Sequence, residues 1–163
     1  MLRLTIGTGD RALVLDAKLE NERAGQTVQT ILSLLPFRGK ILQGRWSGES
    51  GWIPIDDWQA ASSPSGGAPG PAAAHTPRRF DLAYENHTSF PAPGELLFYC
   101  FGLSVTEILV PYGPTVFASR VGQLAGNHFA TVTSGREGLR ELGRRVLWEG
   151  AQEVLIELRD DDA

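Results

Sequence analysis

Residues 95–133 read ELLFYCFGLSVTEILVPYGPTVFASRVGQLAGNHFATVT, a series of short apolar and aromatic runs separated by turn residues. Four extended runs lie within this stretch: Glu95–Phe101, Glu107–Tyr112, Val116–Val121 and Asn127–Thr133. Runs of this length at this spacing are typical of a closed β-barrel or a β-sandwich. The stretch therefore predicts a mainly β fold.

Further strands and two helices are predicted on either side. The remaining predicted strands are a hairpin of Leu2–Ile6 with Arg11–Ala17, then Lys40–Trp46, Gly51–Ile55, Asp81–Glu85 and Val154–Leu158. Apolar residues at helical spacing predict one helix over Ala24–Leu35, which ends at Pro36. A capping box of Ser134 and Glu137 predicts the start of a second helix, which ends at Gly150. The pattern supports a barrel of about eight strands covered by two helices.

The length of 163 residues predicts a single domain. Residues 60–79 are rich in proline, glycine, alanine and serine and carry no large apolar side chain. We expect them to form a flexible loop, inserted into the domain.

Charge and hydropathy exclude several classes of partner. Fifteen basic and 19 acidic side chains give a net charge of −4, so a general nucleic-acid binder is not expected. No run approaches the roughly 20 apolar residues of a membrane span. The amino terminus lacks the features of a secretory signal, which predicts a cytoplasmic protein. The single Cys100 cannot form an internal disulfide, and its apolar neighbours place it in the core.

A family resemblance is carried by residues 90–102, FPAPGELLFYCFG, and 107–114, EILVPYGP. It extends to Trp46–Glu49, Tyr84–Asn86, Gly126–Ala130 and the helix ending at Gly150. These segments resemble a family of bacterial and archaeal proteins with a cyclophilin-like fold, catalogued as a domain of unknown function. The resemblance implies a closed β-barrel with a helix at each open end. It implies no reaction, because the Phe-His-Arg and Phe-Met-x-Gln-Gly-Gly runs of prolyl-isomerising cyclophilins are absent from the chain.

Motifs for cofactors and metals are weak or absent. Gly7-x-Gly9-x-x-Ala12 fits a dinucleotide fingerprint, but a strand follows it instead of the required helix. Glu85, His87 and His128 supply the residue types of a two-histidine, one-carboxylate metal site, although a hydrogen-bonded core histidine is the simpler interpretation of His128. We expect no metal and no cofactor.

Polar side chains embedded among apolar and aromatic residues define the predicted site. Burying such groups costs free energy unless they pair with one another or with a ligand, and small barrels commonly bind ligands at the mouth. We therefore predict one cleft at the barrel. Its candidate catalytic residues are His128, Glu85 and Arg120, and its candidate ligand-binding residues are Trp46, Glu49, Asn86, Tyr99, Tyr112 and Asn127.

The favoured hypothesis is a module that binds a small anionic or amide-bearing molecule, with Arg120 pairing its carboxylate or carbonyl. An alternative is an enzyme acting on a carbonyl or amide compound, with His128 or Glu85 as general base. Prolyl isomerisation is a third hypothesis. In a fourth, the barrel edge or the arginine-bearing face of the second helix docks a protein partner. Self-association is compatible with each hypothesis, and the sequence specifies no interface.

Overall fold

The computed structural model describes residues 1–55 and 80–159. Its strands are β1 (Leu2–Ile6), β2 (Leu13–Leu19), β3 (Phe37–Gln43), β4 (Gly48–Pro54), β5 (His87–Thr88), β6 (Glu95–Tyr99), β7 (Glu107–Thr115), β8 (Ala118–Ser119), β9 (Gly122–Gln123), β10 (Gly126–Ser134) and β11 (Gln152–Leu158). Its helices are α1 (Gly25–Ser33) and α2 (Gly138–Trp148), with a 3-10 turn at Gly9–Arg11. The loop predicted over residues 60–79 lies outside the described residues.

Within the described ranges, eight strands close an antiparallel barrel in the order β2-β1-β11-β3-β4-β7-β6-β10. β10 closes the barrel because it pairs with β6 through one part of its length and with β2 through another. Bulges between His128 and Ala130 and between Val132 and Ser134 interrupt its two registers. Bulges bend a strand, which is what closure requires. The predicted mainly β barrel with two helices is confirmed.

One apolar core fills the barrel and extends under both helices. The alternating residues Leu2, Leu4 and Ile6 of β1 point into it, as their period of two predicts. α1 contributes Val28 and Ile31, and α2 contributes Leu139, Leu142 and Val146. Each helix is therefore held by the apolar stripe that its sequence shows.

Three local predictions differ from the structure. Residues 81–85 form no strand, because the carbonyl of Ala83 and the amide of Glu85 bond the side chain of Asn127 instead of a neighbouring strand. The Ser134–Glu137 capping box is not formed, since Ser134 ends β10 and Gly135, with φ +76°, turns the chain before α2 begins. The run Val116–Val121 is divided, and only its Ala118–Ser119 part pairs, as β8 with β9.

Asp16 of β2 is a buried carboxylate held by two arginines. It is 5% exposed and accepts hydrogen bonds from Arg3 Nε at 2.7 Å, from Arg3 Nη2 at 3.0 Å and from Arg159 Nη1 at 2.9 Å. These bonds, led by those from Arg3, hold the pKa of Asp16 below its ordinary value. The three residues tie together β1, β2 and the end of β11.

We expect Asp16→Asn to remove part of the acid sensitivity of the protein. Because the folded state lowers the pKa of Asp16, its stabilising effect is complete above the unfolded value of about 4 and is lost as pH falls through the folded value. Urea denaturation at pH 7 and pH 3 should show a large stability difference between wild type and variant at pH 7 and a smaller one at pH 3. The same difference at both pH values would contradict this role.

Candidate functional site

A groove of about 510 Å³ lies on the outer face of the barrel, across β3, β4 and β7. Leu42, Trp52 and Leu109 form its floor from three adjacent strands, since Leu42 pairs with Trp52 and Trp52 pairs with Leu109. Glu107 lies two positions before Leu109 on β7 and so shares its face. The floor is apolar except for this one carboxylate.

The β3–β4 loop and β8 form neighbouring walls of the groove. Ser47 Oγ donates a hydrogen bond to the carbonyl of Ala118 at 2.9 Å and accepts one from its amide at 3.1 Å. This double contact holds the loop that carries Trp46 against the strand that leads to Arg120. Both side chains therefore line the same groove.

Tyr99 and Tyr112 each bond a residue that lines the groove. Tyr99 is almost completely buried, and its hydroxyl accepts a hydrogen bond from the amide of the groove residue Leu103 at 3.1 Å. The hydroxyl of Tyr112 donates to Oε1 of Gln43, which lines the groove. Burial raises the pKa of both tyrosines, so both hydroxyls stay protonated at neutral pH.

Positive charge and an exposed indole meet at the groove mouth. Trp46 is 55% exposed, and the guanidinium carbon of Arg45 lies 5.2 Å from the centroid of its ring, which is cation–π distance. Arg45 and Arg120 are both exposed. Among the described residues, neither has an ion pair or hydrogen bond through its guanidinium. The mouth can therefore receive a flat group beside an anion.

The other predicted site residues form a separate network around Asn127 of β10. Asn127 is completely buried, and its amide nitrogen donates to Thr27 Oγ1 at 2.9 Å and to the carbonyl of Ala83 at 3.0 Å. Its amide oxygen accepts a bond from the backbone N–H of Glu85 at 3.1 Å. One side chain thus joins β10, α1 and the segment before β5.

Glu85, Asn86 and His128 complete this network. The carboxylate of Glu85 accepts a hydrogen bond from the backbone N–H of Thr27 in the first turn of α1, where helices favour negative charge. Asn86 adopts a left-handed φ of +47° and donates to the carbonyl of His128 at 2.8 Å. His128 Nε2 lies 2.9 Å from Thr131 Oγ1, which donates in turn to Glu20.

The single cleft predicted from the sequence is therefore divided between two places. Trp46 and Arg120 line the groove, whereas Glu85 and His128 do not. The last two are engaged instead in holding residues 83–88 onto β10 and α1. Glu49 also lies outside the groove lining, with its carboxylate packed over Gly113 of β7.

Of the charged and aromatic side chains that line the groove, three are absent from the predicted set: Arg45, Trp52 and Glu107. Arg45 adjoins Trp46 in the chain, and a basic residue next to an aromatic one can form a cation–π contact. Glu107 alternates with Leu109 on an apolar strand, and a carboxylate on such a face needs compensation. Trp52 carries no signal that separates it from an ordinary core aromatic.

Residues 1–55 and 80–159 give no support for a metal site, a reactive thiolate or a membrane-spanning helix. No three histidine, cysteine, aspartate or glutamate side chains of these ranges cluster as metal ligands. Burial raises the pKa of the Cys100 thiol to about 11, so it is not a thiolate at neutral pH. Neither helix of these ranges has the length and apolar character needed to cross a bilayer.

Several arginines of α2 form ion pairs with glutamates at the same helix. Arg144 bonds the carboxylates of both Glu141 and Glu149, and Arg145 bonds Glu141 as well. Hydrogen bonds from Arg144 and then Arg145 lower the pKa of Glu141 to about 2. This pairing leaves fewer free cations for an acidic protein partner than the sequence alone indicates.

Comparison with solved structures places the fold among known closed β-barrels. The structure of McbB in complex with tryptophan is 18% identical to this chain, with a TM-score of 0.66. The match covers 100% of this chain and 46% of McbB, so this chain spans less than half the length of that protein. The solution structure of the hypothetical protein AF2241 from Archaeoglobus fulgidus is 17% identical, with a TM-score of 0.50, and covers 96% of this chain and 93% of that one.

Both neighbours contain a closed β-barrel, in agreement with the cyclophilin-like fold that the sequence resemblance implies. No curated protein matches this chain. A family model does match, over residues 5–158. The chain therefore belongs to the family described as Protein of unknown function (DUF3830), which confirms the resemblance.

Proposed function

We propose that this protein binds a small anionic or amide-bearing molecule in the groove between the β3–β4 loop and β8. The observation that carries the proposal is the groove mouth, where the guanidinium groups of Arg45 and Arg120 have no ion pair or hydrogen bond among the described residues and line the same groove as the exposed Trp46. Guanidinium groups bind carboxylates through two parallel hydrogen bonds and also donate to carbonyls.

The remaining properties of the groove support a small ligand with a flat apolar body. Its volume of about 510 Å³ is within the range of small-molecule sites. Trp46 offers an indole face at the mouth, and Trp52 and Leu109 offer apolar surface below it. Tryptophan, the molecule bound in the McbB structure, is an aromatic carboxylate and provides a first probe.

We expect Arg120→Ala to weaken binding of an aromatic carboxylate at least about tenfold, since a hydrogen bond to a charged group contributes roughly 1.5–3 kcal/mol. Trp46→Ala should weaken binding as well, because it removes the aromatic surface against which the ring of the ligand packs. Both side chains are exposed, so the melting temperature of the unliganded protein should stay near that of the wild type. Calorimetric titration with L-tryptophan and indole-3-propionate measures the effect.

Arg140→Ala is the matched control, because Arg140 is an exposed arginine of α2 that does not line the groove. It removes the same charge from the protein without touching the proposed site. If Arg120→Ala and Arg140→Ala weaken ligand affinity equally, the effect comes from the net charge of the protein and not from a contact in the groove. The absence of binding by wild-type protein to every carboxylate tested would refute the proposal.

The alternative hypothesis is an enzyme with His128 or Glu85 as general base and Arg120 as electrophile. It has less support than the binding function. Neither candidate base lines the groove in which Arg120 lies. A general base must lie within hydrogen-bonding reach of the proton that it removes. The binding function therefore remains the better supported of the two.

A further inference from the structure

Ser47 connects two walls of the groove through one hydroxyl. The residue is 4% exposed, and its Oγ bonds both backbone polar groups of Ala118, at 2.9 Å from the carbonyl oxygen and at 3.1 Å from the amide nitrogen. A hydroxyl can bond both groups because it is a donor and an acceptor at once. It therefore does for Ala118 what a neighbouring strand would do, between segments 71 positions apart in the chain.

Two further contacts hold the same β3–β4 loop. The amide of Val116 donates to the carbonyl of Ser47 at 3.2 Å. At the base of the loop, Gln43 Nε2 donates to the carbonyl of Gly44 at 3.2 Å and to that of Gly48 at 3.3 Å. The loop is therefore fixed at both ends by contacts within the protein.

The Ser47–Ala118 contact lies between the two side chains on which the proposed function depends. Trp46 directly precedes Ser47, and Arg120 follows Ala118 by two positions. Two residues span at most about 7 Å of backbone, so the position of each side chain depends on this contact. A ligand that touches both Trp46 and Arg120 needs the two walls at a fixed separation, because ordering mobile groups on binding costs affinity.

We infer that Ser47 is a positioning residue of the groove: its hydroxyl fixes the wall that carries Trp46 relative to the wall that carries Arg120, so that one ligand can contact both. The inference rests on the proposed function and adds to it a residue that acts through its neighbours. Ser47 itself is almost completely buried and its hydroxyl is bonded to Ala118, so it offers a ligand little surface.

Calorimetric titration of the variant Ser47→Ala with indole-3-propionate tests the inference. The substitution removes one oxygen atom and both of its bonds to Ala118, and it leaves the side chains of Trp46 and Arg120 in place. We expect the affinity to fall at least about fivefold, because binding must then also order the two walls.

A double variant separates positioning from a ligand contact made by Ser47 itself. If Ser47 acts by holding Arg120 near Trp46, its hydroxyl matters little once the guanidinium of Arg120 is gone. We therefore expect Ser47→Ala to weaken binding by less than about twofold when Arg120→Ala is already present. A loss of the same size with and without Arg120→Ala would overturn the positioning role.

Thr115→Val is the matched control. Thr115 is 9% exposed and does not line the groove, and its hydroxyl also bonds the backbone twice, at the carbonyls of Glu49 (3.1 Å) and Gly113 (3.0 Å). We expect this variant to bind indole-3-propionate as tightly as wild type does. If it loses as much affinity as Ser47→Ala, any local loosening is sufficient and the inference is overturned.

The outcomes distinguish this inference from the proposed function. If wild-type protein and Ser47→Ala bind indole-3-propionate equally tightly, the positioning role is overturned and the binding function stands. If wild-type protein binds no carboxylate, both are overturned. Melting temperatures without ligand establish that each variant is folded. Should Ser47→Ala fail to fold, Ser47→Cys takes its place with the same expected loss, because a thiol is only a weak donor and acceptor.

Discussion

Gly135→Ala is expected to lower the free energy of unfolding by about 2 to 5 kcal/mol. Gly135 adopts φ +76° in the turn between β10 and α2, a conformation that costs an L-residue about 1–2 kcal/mol. A Cβ atom there would lie 2.2 Å from the carbonyl oxygen of Val14. That oxygen belongs to the backbone of β2, which pairs with β1, so it cannot move aside without disturbing the barrel.

The variant Gly150→Ala separates the cost of the positive φ from the cost of the contact between the added Cβ and the Val14 carbonyl. Gly150 has a similar φ of +86°, but its added Cβ would meet no atom within 4 Å. We therefore expect it to lose only the conformational part, about 1–2 kcal/mol. Urea denaturation of both variants measures the difference in their free energies of unfolding. Equal losses for the two variants would show that the contact with the Val14 carbonyl does not destabilise Gly135→Ala.

The fold follows from local patterns to a large extent. β1 and the helix α1 were predictable because their apolar residues recur at the periods of a strand and of a helix, and burial follows that period. Residues 81–85 also look extended. They form no strand because Asn127, more than 40 residues away in sequence, supplies the partners of their backbone. A local pattern contains no information on such a contact.

The grouping of the site residues depends on similar long-range contacts. The sequence predicts Trp46 as a ligand-binding residue and Arg120 as a catalytic one, because both are side chains with polar groups among apolar and aromatic neighbours. Their meeting in one groove depends on the bond between Ser47 and Ala118, residues 71 positions apart. The separation of Glu85 and His128 from this groove is equally beyond the sequence, because Glu85 binds the start of α1, 58 positions away.

Asn127→Ala is expected to lower the free energy of unfolding by about 3 kcal/mol or more, with a matching fall in melting temperature. The change removes the partner of Thr27, of the Ala83 carbonyl and of the Glu85 amide. Each buried polar group left without a partner costs about 1–3 kcal/mol, less whatever water recovers. Hydrogen exchange should show the loss first around residues 83–85, because Asn127 bonds the carbonyl of Ala83 and the amide of Glu85.

The same variant tests whether this network is structural or chemical. Glu85→Gln is the control. Its amide oxygen can still accept the hydrogen bond from the Thr27 N–H, while the carboxyl group is removed. A structural network predicts a large stability loss for Asn127→Ala, a small one for Glu85→Gln, and ligand affinity near that of wild type in both wherever they are folded. Full stability of Asn127→Ala combined with abolished binding would instead move the ligand site from the groove to the network, because nothing in the groove touches Asn127.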